Sequence, residues 1–112
     1  LETLDFSQFY GTEHYYKHSF TKSVYTDGVK YFAEKAGAYW FLDIVFSEYF
    51  TLMKKEGFLS INLKVNDFGA DITVDDGNEN ILVKRHIDWT DCPQGEYKFF
   101  YADSVLMLTS EY

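Results

Sequence analysis

The sequence predicts an α+β domain in which N-terminal helices pack on one face of a four- to five-stranded antiparallel β-meander. Three observations carry this expectation. The run from Val24 to Lys55 is long and apolar enough to be a central core element, the hydrophobic period changes from helical to alternating after Gly57, and the alternating runs are divided by short turns rich in Gly, Asp and Asn. At 112 residues the chain can bury a core without metals or cross-links, so 1–112 reads as a single domain, with 1–56 the helical layer and 57–112 the sheet.

Taken in order, Asp5 to Tyr10 can form a short helix and Thr12 can cap a second one. On that second helix His14 and His18 would share a face, as the ligands of helical metal sites do. They are weak candidates: Tyr15, not glutamate, follows the first histidine, and no third ligand is announced, so no metal is expected. The central helix starts where Thr26 or Asp27 can accept from first-turn amides and ends at Lys54, Lys55 and Gly57, cations and glycine suiting a carbonyl terminus. Gly37 in its middle marks a break or a close backbone approach. Beyond it Phe41, Leu42, Val45, Tyr49 and Leu52 form an apolar stripe, whereas Asp43, Ser47, Thr51 and Lys54 fall on one polar line facing water or a partner.

In the second half, Leu59, Ile61, Leu63 and Val65 alternate with Ser60, Asn62, Lys64 and Asn66, the pattern of a strand with one buried face. Pairing outward from the turn Asn66-Asp67-Phe68-Gly69, with Gly69 left-handed, sets Leu63 opposite Ile72, Ile61 opposite Val74 and Lys64 opposite Asp71. A third strand puts Ile81, Val83, Ile87 and Trp89 on the inner face. By alternation Arg85 joins them, which calls for a bulge, a place at the sheet's rim, or a carboxylate partner such as Asp43, the first two being preferred. Tyr97, Phe99 and Tyr101 make a fourth strand, and Val105 to Leu108 a fifth after a tight turn.

Charge and motifs narrow the functional classes. The net charge of −8 lies mostly in the second half: residues 57–112 carry ten acids and four Lys/Arg, residues 1–56 eight and six. Direct nucleic-acid binding, which draws its affinity from clustered cations, is disfavoured. Acids interrupt the central helix, so no membrane span is expected, and a lone Cys92 without a signal-peptide pattern suits a cytoplasmic protein. Asp75-Asp76-Gly77-Asn78-Glu79 lacks the ligand alternation of a calcium loop and reads as a turn. Cys92, with His86 and Asp91 nearby in sequence, lacks the signature of a nucleophile, and no phosphate-binding or dinucleotide glycine motif is present. No cofactor is implied and no catalytic residue is assigned.

Two readings follow. The 23 Phe, Tyr and Trp residues, 21% of the chain, suit a non-catalytic protein-interaction domain that binds another protein or itself as a homodimer; one version is an acidic inhibitor of a nucleic-acid-binding partner. The alternative is a small-molecule or catalytic pocket between helix and sheet, lined by Tyr25, Trp40, Trp89 and Tyr97, with Asp27, Asp43 or Asp91 as its polar group. The segments GTEHYYKH (11–18), YTDGVKYFAEKAGAYWFLD (25–43), DGN (76–78) and TDCPQGEYKFF with VLMLTSEY resemble an uncharacterised family of small bacterial proteins often associated with mobile elements. That resemblance implies a small bacterial domain and assigns no functional residue.

Overall fold

A computed structural model describes residues 4–9, 11, 14–18 and 22–112. The central stretch forms three helices: α1 (Asp27–Ala36), α2 (Tyr39–Glu48) and α3 (Phe50–Glu56). Thr26 is the cap of α1, its side-chain oxygen accepting from Val29 N at 3.4 Å. Gly37 ends α1 in the left-handed region at φ 62°, where a side chain would be strained, and no atom beyond its chain neighbours lies within 4 Å of where its Cβ would stand, so of the two alternatives the break is present and the close approach is not. The junction at Tyr49 is gentler: Tyr49 N donates to Val45 O and Met53 N to Tyr49 O, so the hydrogen-bond ladder bends without being cut. The apolar stripe of α2 faces inward and the polar line Asp43, Ser47, Thr51 and Lys54 is exposed.

The strands are β1 (Tyr15–Lys17), β2 (Val24–Thr26), β3 (Leu59–Val65), β4 (Ala70–Asp75), β5 (Ile81–Ile87), β6 (Gly95–Ala102) and β7 (Val105–Leu108). They form one sheet in the order β1-β2-β7-β6-β3-β4-β5, mostly antiparallel, with β2 and β7 parallel. This corrects the expected four- to five-stranded meander. Among the described residues there are seven strands, two of them before the helices, and β6 returns across the sheet to pair with β3, so that β6-β3-β4-β5 has Greek-key order. The helices cover one face, as expected of an α+β fold. Phe32, Phe41, Val45, Phe46 and Met53 meet the inward rows Leu59-Ile61-Leu63, Ile72-Val74 and Tyr97-Phe99-Tyr101, and all are buried.

Several local expectations change with this topology. The histidine-bearing helix is not formed: Tyr15–Lys17 is a strand, in which residues four apart are separated by more than two helical turns' rise and share no helical face. Thr12, its expected cap, and Tyr10 lie outside the described residues; around Phe6 to Phe9 the chain makes a turn and no helix, Phe9 N donating to Phe6 O. The register of β3 with β4 follows the alternation, pairing Leu63 with Ile72, Ile61 with Val74 and Lys64 with Asp71. Gly69 is not left-handed; a Cβ there would lie 2.6 Å from Ile87 O, so glycine is required by close backbone approach instead.

β5 departs most from its expected pattern. Its pairing shifts between Val74/Val83 and Asp75/Ile81, leaving Leu82 as the extra residue of a bulge. Ile81, expected inside, is consequently 56% exposed. Arg85 lies past the bulge, opposite Ile72, on an edge strand where its guanidinium donates to the Glu48 carboxylate. It is thus at the rim with a partner on α2, and that partner is Glu48, not Asp43. The pair is partly exposed, which suits a planar guanidinium kept hydrated on one side.

Candidate functional site: the aromatic end of the sheet

Two connections meet at one end of the sheet. The β3–β4 turn closes with Asn66 N donating to Gly69 O at 2.9 Å, and the segment after β5 runs beside it, Thr90 N donating to Phe68 O at 2.6 Å. The second connection is braced from within. Cys92 N donates to Thr90 Oγ1 at 3.1 Å, the Tyr97 hydroxyl donates to Pro93 O at 2.6 Å, and the Gln94 amide donates to Asp67 Oδ1 at 3.1 Å. Thr90 and Cys92 are buried beneath. On this platform two large rings are left in water: Phe68 is 70% and Trp89 67% exposed. Exposed Asp67, Asp88 and Asp91 lie in the same two connections.

The buried groups under the platform are chemically quiet. Burial pushes the Cys92 thiol up to about 11 and the Tyr97 phenol up to about 12, the nearby Asp91 charge adding to the first. At neutral pH only roughly one Cys92 in ten thousand would be thiolate, the opposite of an activated nucleophile. His86 stands apart, on the outer face of β5, with Nδ1 2.8 Å from Asp71 Oδ1 and Nε2 3.3 Å from Asp88 Oδ1.

The hydrogen bond to Asp71 raises the His86 imidazole above its ordinary 6.5, with the charges of Asp71 and Asp88 acting in the same direction. A raised folded-state value means stability fully present below 6.5 and lost as pH rises through the raised value. Thermal melting across that window should show a small decline that His86→Gln lacks. Identical pH profiles for the two proteins would mean that the pairing contributes nothing.

The residues singled out by sequence are distributed over the molecule. Tyr25 stacks with Tyr16 at 5.8 Å and Phe46 at 6.2 Å in the layer between β2 and α2. Asp27 opens α1 and accepts from His14 N at 3.0 Å. Trp40 is half-buried with its ring edge-on to Phe41, and exposed Asp43 lies 2.9 Å from His18 Nε2. Trp89 and Asp91 come together at the aromatic end, joined by Phe68, a ring that sequence reasoning had passed over inside a turn. The available signal was an aromatic side chain in Asn-Asp-Phe-Gly, where a polar residue would serve the turn equally well.

Between helices and sheet, the space that Tyr97 and Trp40 were expected to line is filled by Phe32, Phe41 and Phe99, whose ring centres are 4.9–6.0 Å apart. An open cleft of about 480 Å³ lies instead against α1, lined by Asp27, His14, Tyr16, Lys30, Tyr31 and Lys35 among others. Lys30 there is engaged by Glu34 at 3.1 Å and by the Tyr16 ring at 4.7 Å. Among the described residues no group of three His, Cys, Asp or Glu is arranged to hold a metal ion, and no helix is long and apolar enough to cross a membrane. In the turn Asp75 to Glu79 the acids cap the backbone, Asp75 accepting from Gly77 N and Asp76 from Asn78 N, both at 2.8 Å.

No curated protein and no solved structure matches this chain. A family model spans residues 2–112, nearly its whole length, and the chain therefore belongs to a family of unknown function, DUF6876.

Proposed function

We propose that this is a non-catalytic protein-interaction domain whose working surface is the end of the sheet bearing Phe68 and Trp89. The observation that carries the reading is that both rings stand about two-thirds exposed on hydrogen-bonded connections. Large exposed aromatics on two hydrogen-bonded connections suit a contact surface, and a braced platform lowers the ordering cost of binding. The buried Cys92 thiol and the filled helix–sheet interface support a binding role over a catalytic one.

The version in which an acidic face imitates nucleic acid is not carried forward. It needs carboxylates spaced like phosphates, whereas on the open face of the sheet Lys64 is opposite both Glu96 and Asp71, and Lys98 and Lys84 stand in the intervening rows. The cleft against α1 supports a second reading, a small polar ligand held by Lys35, Tyr31 and Tyr16. The setting we propose is a bacterial cytoplasm and a mobile element; housekeeping genes beside this gene throughout the family would count against it.

A photo-crosslinking phenylalanine analogue at Phe68, in the cell that makes the protein, should trap a discrete protein, another chain or a second copy. The same group at exposed Tyr39 on α2 should trap none. Equal trapping at both positions, or none at Phe68, would overturn the proposal.

A further inference from the structure

We infer that the Phe68–Trp89 end receives an arginine-bearing segment of a partner protein, an inference that rests on the interaction reading above and names its chemistry. Both rings stand about two-thirds exposed, and an aromatic π-face attracts a cation. The charge around the rings is mainly negative, with the His86 imidazole, 3.3 Å from Asp88 Oδ1, as a titratable counter-charge. Between Lys64 and Lys84, and again between Arg85 and Lys98, the sequence contains no lysine or arginine, whereas Asp67, Asp88 and Asp91 lie within two residues of the ring-bearing positions. The Asp88 side chain is 99% exposed, and Asp91 is exposed beside it.

Each rival occupant meets a specific obstacle. A second copy of this chain would bring like charges together at the same patch. An apolar surface would strip water from three carboxylates without replacing it. An anionic lipid surface would be repelled. A guanidinium answers both features at once: it is planar and weakly hydrated, so it lies flat on an indole or phenyl ring while its fork donates to a carboxylate. An ammonium group, compact and strongly hydrated, gains less from the rings.

The braces explain why the geometry could select such a group. The Thr90 bond to Phe68 O ties the two connections together, Gly69 allows the backbones to touch, and the Tyr97 bond to Pro93 O holds the second connection from beneath. The backbone that carries the rings therefore has little freedom to lose on binding.

The test uses the full chain with Trp40→Phe, so that Trp89 is the only tryptophan and its emission reports on this end. The probe is a short Gly-Ser peptide carrying a pair of arginines, with matched peptides bearing lysine or citrulline, the last being planar but neutral. A saturable change in Trp89 emission is expected with arginine, weaker with lysine, and roughly tenfold weaker with citrulline, given the strength of cation–π and charge-assisted contacts. Phe68→Ala, and Asp88→Asn with Asp91→Asn, should each weaken arginine binding severalfold. Glu56→Gln with Glu79→Gln, which removes the same charge elsewhere, should leave it unchanged.

Equal binding of citrulline, equal weakening by the two charge-matched double variants, or no saturable response would overturn the inference. If the peptide fails while the crosslinker at Phe68 still traps a protein, the arginine chemistry is wrong and the interaction reading stands. If the peptide succeeds and the crosslinker traps nothing, the interaction reading is overturned, and with it the partner segment, while the surface's preference for arginine stands.

Discussion

Phe32→Ala is expected to lower stability by about 3–5 kcal/mol, the cost of deleting a large ring from a packed core that collapses only partly into the space. Phe32 has no solvent exposure and sits between the layers, its ring centre 4.9 Å from Tyr97, 5.2 Å from Phe99 and 6.0 Å from Phe41. Its neighbours come from α1, α2 and β6, so no single element can move to close the gap. Because single domains hold only about 5–15 kcal/mol in all, much of the population should unfold well below the wild-type midpoint. Urea denaturation would measure this, with Phe50→Ala, at the half-buried edge of the core, as the milder comparison. A loss at Phe32 no greater than at Phe50 would show that the rings are not acting as one packed unit.

The second large effect concerns the start of α1. The Glu111 carboxylate, from a 3-10 turn at Thr109–Glu111, accepts from the Thr26 hydroxyl at 2.6 Å, Gly28 N at 3.1 Å and Leu108 N at 2.9 Å. A carboxylate at a helix N-terminus satisfies an otherwise unpaired amide and suits the positive end of the helix dipole. The seat is tight: a Cβ on Gly28 would stand 2.5 Å from Leu108 Cδ1 and 2.7 Å from Glu111 Oε1. Those atoms end side chains, but Leu108 is buried and Glu111 is held by three donors, so neither yields freely.

Glu111→Ala and Gly28→Ala should each cost about 1–3 kcal/mol, the first by leaving buried donors unpaired and the second by overpacking. Both act on one contact, so the double variant should cost clearly less than the sum. Additive losses in a denaturation cycle would refute the shared seat.

Where the chain's own neighbours decide the outcome, the structure could be read from the residues. Thr26, one of the two caps offered, accepts from Val29 N three residues on, Gly37, read as a break or a close approach, stops a helix where the backbone turns left-handed, and the β3–β4 register follows from alternation about the Asn66–Gly69 turn. What escaped depended on distant partners. β1 and β2 are three residues each, too short for alternation to distinguish from an irregular lead into a helix, and β2 is a strand because β1 and β7 lie on either side of it. The β5 bulge was hidden by three consecutive apolar residues, Ile81, Leu82 and Val83, any of which could be the extra one. At the candidate site, Asp91 was legible as a loop residue, whereas Trp89, expected on the inner face of the third strand, lies beyond the end of β5 and is exposed. Phe68 was not legible, because only the Thr90 hydrogen bond makes it their neighbour.

The contact between Thr26 and Glu111 links residues 85 positions apart, and β2 pairs with β7 over a similar span. The consequence is one of timing. Helix α1 has its local signals from the outset, yet its first turn lacks its carboxylate, and the strand before it has β1 on one side but nothing on the other, until β7 is in place. Closing so long a loop costs entropy before any bond repays it, so the rate at which this chain folds is governed by the joining of its far segments and not by how fast its helices wind.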